Sequence, residues 1–155
     1  MTKETSHLAE LKGNNVIYID KVEGSRSVRM GSMTGSSSPL YCTGIGKAIL
    51  AFLQKDELEE KLESMEFKKF TASTIRTKKA LLCEIESIRE TGISFDKGEH
   101  EDGVFCIAAP IFDSSEKVIA AVSVAGAEIY VKKNASVYAK SVRGTARAIS
   151  NELGK

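Results

Sequence analysis

Val104-Phe105-Cys106-Ile107-Ala108-Ala109-Pro110-Ile111-Phe112, followed by Asp113-Ser114-Ser115-Glu116-Lys117 and then Val118-Ile119-Ala120-Ala121-Val122-Ser123-Val124, is the stretch on which the fold turns. Two long apolar runs separated by a short polar turn predict a pair of antiparallel strands. Upstream, Ile93 to Asp96 predicts a short third strand. Downstream, Tyr138, Val142, Thr145, Ile149 and Leu153 recur at helical spacing and predict a closing helix from about Ser136.

Further upstream the pattern is helical. Thr74 is a candidate cap for a helix with Leu81, Leu82, Ile85 and Ile88 on one face, ended by Thr91-Gly92. Leu58, Leu62 and Met65 predict a shorter helix, and Thr43 caps another that carries Ile45, Ile49, Phe52 and Leu53. Before Pro39, Gly31 to Ser38 is nearly all Gly, Ser and Thr and is expected to be a flexible loop. Val16 to Asp20 and Val22 predict a strand, the turn Glu23-Gly24-Ser25 follows, and the alternation of Val28 and Met30 predicts its antiparallel partner. Thr5 to Leu11, with Leu8 and Leu11 three apart, is expected to be a short helical segment stopped by Gly13-Asn14-Asn15. Short connections without crossover units place the chain in the α+β class, one face of its sheet covered by helices and ligand sites between the two.

Composition excludes several functions. With 155 residues, 42% hydrophobic and 28% charged, the chain has the make-up of one globular domain. Its 22 Lys and Arg against 21 Asp and Glu give no positive field to collect phosphate, so unaided DNA binding is not expected. Cys42, Cys83 and Cys106 are odd in number and far apart, which suits reduced thiols. Met1 to His7 lack the apolar run of a signal peptide, and a cytoplasmic location without membrane association is expected.

Three ordered segments resemble the effector-binding domain of IclR-family bacterial transcription regulators. They are Pro39-Leu40-Tyr41-Cys42-Thr43-Gly44-Ile45-Gly46-Lys47-Ala48-Ile49-Leu50-Ala51, then Gly92 to Asp96 leading into Glu99-His100-Glu101-Asp102-Gly103-Val104-Phe105-Cys106-Ile107-Ala108-Ala109-Pro110-Ile111-Phe112-Asp113, and last Ala120-Ala121-Val122-Ser123-Val124-Ala125-Gly126. Supporting pieces extend the match over nearly the whole chain. The resemblance implies a GAF-like fold, a twisted antiparallel sheet flanked by helices, preceded in full-length members by a winged helix-turn-helix. Residues 1–15 are too few for that module; they are expected to be a remnant of the inter-domain linker helix, and 16–155 the effector-binding domain of a longer regulator. Assembly into dimers or tetramers is likewise implied, as is DNA contact only through the N-terminal module that is missing here.

The resemblance also implies a site. Its ligand contacts would fall on Gly44 and Ile45, Asp96, Cys106 and Ser123. The turn Thr43-Gly44-Ile45-Gly46 is a candidate anion cradle, although two glycines there equally suit tight helix–sheet packing. Gly-x-Gly-Lys lacks the spacing of a phosphate-binding loop. Asp96 can accept hydrogen bonds from ligand hydroxyls or share a proton with an acid, and can equally begin the turn Asp96-Lys97-Gly98. Cys106 among apolar neighbours is expected to be a shape element, and Ser123 interrupts an apolar strand with a hydroxyl that needs a partner. The family's second small polar position on that strand is Ala125 here, so a donor is missing and the ligand is expected to differ from those of relatives.

No cofactor or metal is assigned. His100, Cys106, Asp96 and Cys42 lack paired zinc-ligand spacing, and a solvated loop suits His100, flanked by Glu99 and Glu101. Lys132, Lys133, Lys140, Arg143 and Arg147 are read as a solvated helix face. The expected function is sensing of a small organic acid or related metabolite that controls DNA binding elsewhere in the regulator. The alternatives are a stand-alone ligand-binding or oligomerisation module and an enzyme with Cys106 as nucleophile and His100 as base; no third orienting residue supports the enzyme.

Overall fold

The computed structural model describes residues 2–27 and 29–155. Six strands form one sheet, β1 (Thr5–Lys12), β2 (Asn15–Val22), β3 (Ser37–Pro39), β4 (Ser94–Lys97), β5 (Val104–Phe112) and β6 (Val118–Ala127), in the order β3-β2-β1-β6-β5-β4. All neighbours are antiparallel. The helices are α1 (Gly44–Leu50), α2 (Lys55–Ser64), α3 (Lys78–Thr91), α4 (Glu128–Lys133) and α5 (Ala135–Glu152). The architecture is the expected α+β sheet, but helices cover both of its faces and not one, and none of the described helices is long and apolar enough to cross a membrane.

The apolar runs behave as read. Val104–Phe112 is strand β5 residue for residue, and its partner β6 runs three residues beyond Val124. Their side chains alternate between two cores. Ala108 and Ala121 face the core built on α1, α2 and α3, while Ile107, Ala109, Ile111, Ala120 and Val124 face α5. Helix α5 presents Tyr138, Val142, Ala146 and Ser150 to the sheet, every fourth residue. The expected stripe ran through Thr145 and Leu153 instead, and both are exposed. Small Ala146 and Ser150 let the helix lie close, and the Phe112 N–H donates to Ser150 Oγ at 3.0 Å.

The start of the chain differs most from expectation. Thr5–Leu11 is not helical, and residues 1–15 are not a linker-helix remnant, because Thr5–Lys12 forms β1 and lies between β2 and β6. Leu8 and Leu11 mimic a helical repeat, but Thr5, His7 and Ala9 also alternate inward, and backbone pairing on both edges decides for the strand. Gly13, with φ of +61°, occupies the first position of the two-residue turn into β2, where the tight hairpin asks for glycine. The partner of β2 is not the strand expected around Val28 and Met30. Val28 lies outside the described residues and Met30 is not in a strand. The partner is β3, inside the segment expected to be a flexible loop: Ser37 and Ser38 pair with Ile17 and Val16. Pro39, which has no N–H to donate, ends this edge strand.

Every residue of α1 is buried, because the helix lies between the sheet and the other two helices of its layer. Thr43 caps it as expected, its hydroxyl accepting from Gly46 N at 3.1 Å. Helix α3 is capped by Thr77, not by the expected Thr74. Thr74 is buried and donates to the Glu99 carbonyl at 2.6 Å, so it braces the loop after β4 instead. Gly92, with φ of +68°, closes α3 in the left-handed conformation. Helix α4 was not anticipated.

Candidate functional site

Side-chain alternation brings one residue from each of several strands to a common face. Pairing sets His7 of β1 opposite Ser123 of β6, Ala125 of β6 opposite Cys106 of β5, and Cys106 opposite Asp96 of β4. Helix α1 covers only part of this face. The uncovered part is a cavity of about 290 Å³, closed at one end by Thr43, Gly44 and Ile45, and rimmed by Met30 to Ser32, Ser36 to Ser38 and by His100, Glu101 and Val104.

Gly44, Ile45, Asp96, Cys106 and Ser123 all line it. Ser123 is 1% exposed, and among the described residues its hydroxyl has no partner other than the weak one offered by the nearby Cys106 thiol. Leaving a buried hydroxyl without a partner costs about 1–3 kcal/mol, so a ligand group that pairs with Ser123 gains by doing so. Gly44 touches the sheet: a Cβ there would lie 2.9 Å from Cys106 Sγ. Gly46 packs away from the cavity, on the Leu40 backbone, and is a packing residue. Position 125 offers only a methyl group.

Asp96 is 5% exposed, and its Oδ1 accepts from Glu99 N at 2.7 Å. Burial pushes its carboxyl up to about 7, against the downward pull of that N–H. Burial also pushes the Cys106 thiol up to about 12, which favours the protonated thiol over the thiolate that a nucleophile needs. His100 is half-buried, not in a solvated loop, and its ring packs on Phe70 with centroids 4.7 Å apart. No hydrogen bond joins it to Cys106 among the described residues. Nor do three His, Cys, Asp or Glu side chains cluster closely enough there to hold a metal ion.

Several site residues escaped the sequence. His7 sits in the cavity floor, its Nε2 sharing a 2.6 Å hydrogen bond with Ser32 Oγ, and burial lowers its imidazole to about 4. Tyr18 and Ser36 to Ser38 also line the space. The alternation of Thr5, His7, Ala9 and Leu11 was the available signal for His7. Lys47 is fully buried, its ammonium 2.8 Å from Glu99 Oε2, 3.1 Å from Glu84 Oε2 and 2.6 Å from the Phe95 carbonyl. That ion pair fixes the segment carrying Asp96, His100 and Glu101.

The family model described as "Bacterial transcriptional regulator IclR C-terminal" matches residues 1–151. The chain belongs to the IclR family. Over 155 residues it is 37% identical to the HTH-type transcriptional regulator KdgR of Escherichia coli, a match covering 99% of this chain and 59% of KdgR. The IclR crystal structure from Thermotoga maritima superposes with a TM-score of 0.95 at 39% identity, over 99% of this chain and 63% of that one. The C-terminal domain of E. coli KdgR superposes with a TM-score of 0.88 at 37% identity, over 99% and 90%. This IclR-family chain thus spans about three-fifths of KdgR, the part solved on its own as the C-terminal domain. Relatives named as regulators give no support to an enzymatic role.

Proposed function

We propose that the cavity binds a small organic acid or related metabolite, and that occupancy changes how the DNA-binding region of the complete regulator engages its operator. The observation that carries this reading is the Ser123 hydroxyl, 1% exposed and without an oxygen or nitrogen partner among the described residues, in a cavity whose polar lining is hydroxyls, Asp96, Glu101 and two histidines. Burying an unsatisfied donor is unfavourable, and a bound ligand relieves it. Gly44, Ile45, Asp96, Cys106 and Ser123 are the proposed contacts. The effector acts by binding one arrangement of the whole regulator more tightly than another. The proposed setting is the cytoplasm, and the proposed assembly a dimer or tetramer, for which Val22, Ile129 and Val137, each more than 60% exposed, offer apolar surface.

Calorimetry with keto, hydroxy, sugar and aromatic acids tests the reading, with light scattering on the same samples giving the assembly. Saturable binding of at least one acid is expected, weakened about tenfold or more by Asp96→Ala, which removes a buried hydrogen-bonding group. No saturable heat with any acid sinks the effector reading; unchanged affinity in the Asp96 variant sinks the placement of the site.

The domain is proposed to have no catalytic activity. A thiol reagent at neutral pH is expected to modify exposed Cys83 quickly and to spare Cys42 and Cys106 until unfolding. Modification of Cys106 as fast as Cys83 would restore the nucleophile.

A further inference from the structure

We propose that the cavity takes up its acid ligand together with a proton shared between the ligand carboxylate and Asp96, so that binding weakens as the medium becomes alkaline. The inference rests on the acid-effector reading above. The cavity lining carries two carboxylates, Asp96 and Glu101, and no Lys or Arg. Two ammonium groups lie near and both are engaged: Lys47 places its three protons on Glu99, Glu84 and the Phe95 carbonyl, and Lys21 donates to the Met30 and Ser32 carbonyls at the rim and pairs with Glu23. The histidines add no fixed cation: burial lowers His7 to about 4 and draws His100 down as well. A ligand carboxylate that takes up the proposed contact with Asp96 meets a carboxyl 5% exposed, with both nearby ammonium groups already engaged.

Two carboxylates cannot both stay ionised at such a distance from water, and one retained proton turns their repulsion into a hydrogen bond. Asp96 is built to hold it. Its Oδ1 is occupied by Glu99 N, while Oδ2 has no hydrogen-bond partner among the described residues. The charged and titratable groups around it and the cavity are Glu99, His100 and Glu101 from its own segment, Lys47 from α1 with its partner Glu84 from α3, Cys42 before α1, Cys106 from β5, Tyr18 and Lys21 from β2 with Glu23 after it, and His7 from β1. Burial, Glu99 and Glu101 raise the carboxyl, while the Glu99 N–H and Lys47 lower it, leaving it at about 7. The Asp96 O–H donates to the ligand carboxylate; below neutrality that proton is already present, and above it one is drawn from solvent on binding. No other bond changes.

Calorimetry on the wild-type chain, in buffers of different ionisation enthalpy from about pH 6 to about pH 8.5, uses glycerate, gluconate and benzoate beside neutral glycerol, sorbitol and benzamide. An acid that binds is expected to do so with uptake of up to one proton, its affinity falling toward tenfold per pH unit above about pH 7. Asp96→Asn keeps the size, the Oδ1 acceptor and a donor, and is expected to bind the same acid without that pH dependence. Acid binding with a flat profile and no proton uptake overturns the inference, as does an Asp96→Asn profile matching the wild type. Preference for a neutral counterpart over its acid also overturns it, while leaving the cavity an effector site. Absence of binding by every probe at every pH overturns both readings.

Discussion

Lys47→Met is expected to destabilise the domain by about 3–5 kcal/mol, the range for breaking a buried ion pair by removing one partner. The ammonium is fully buried and holds Glu99, whose side chain is 7% exposed, at 2.8 Å. Glu84, 40% exposed, can turn to water and contributes little to the loss. Glu99 has no such escape, because the Gly98 and Glu99 carbonyls are pinned by Thr71 and Thr74. Urea denaturation followed by circular dichroism measures the change. Lys47→Met combined with Glu99→Leu is expected to recover much of it, since an apolar pair leaves no stranded charge. A Lys47→Met variant within about 1 kcal/mol of wild type would mean the pair is wetter than its burial indicates. The same variant is expected to weaken effector binding, because the segment carrying Asp96 loses its anchor.

Gly46→Ala is expected to cost about 2–4 kcal/mol, combining overpacking with loss of a helix cap. Helix propensity alone would give the opposite sign, as Ala in a helix interior is favoured over Gly by up to about 1 kcal/mol. The new Cβ would fall 2.5 Å from Leu40 Cα, against the Leu40 carbonyl, and 2.6 Å from the Thr43 hydroxyl that caps α1. Leu40 is fully buried and directly follows β3, so its backbone has nowhere to go. Gly144→Ala is the control: it sits in α5 with nothing within 4 Å of a new Cβ and is expected to stabilise the fold by about 0.5–1 kcal/mol. Thermal unfolding of the two variants should move the midpoint in opposite directions. A neutral Gly46→Ala would mean that α1 can shift away from Leu40.

What could be read in advance follows the range of the forces involved. β5 was legible because its apolar run and polar turn are local. So were Thr43 as a cap and Gly92 as a stop, each answering to the geometry of a single helix end. β1 was not, since Leu8 and Leu11 fit a helix as well as a strand until pairing with β6 settles the matter. β3 was hidden for a similar reason: Ser37 and Ser38 have little strand preference of their own and take it from β2. The five site residues named from the resemblance do line one cavity, but His7 and Tyr18 lie on strands whose faces were not identified. Lys47 gave no sign of its role because its carboxylate partners lie far along the chain, on α3 and beyond β4.

The position of β1 also bears on how the domain comes into being. One edge of this strand can zip to β2 as soon as the Gly13 turn forms, a local hairpin expected within microseconds. Its other edge waits for β6, pairing Thr5 with Ala125 across most of the chain. On a ribosome, the sheet therefore stays split into two halves until nearly the whole chain has emerged. Closing so large a loop sets a slow, non-local final step, and the waiting edge of β1 is the surface on which a nascent chain is most open to mispairing.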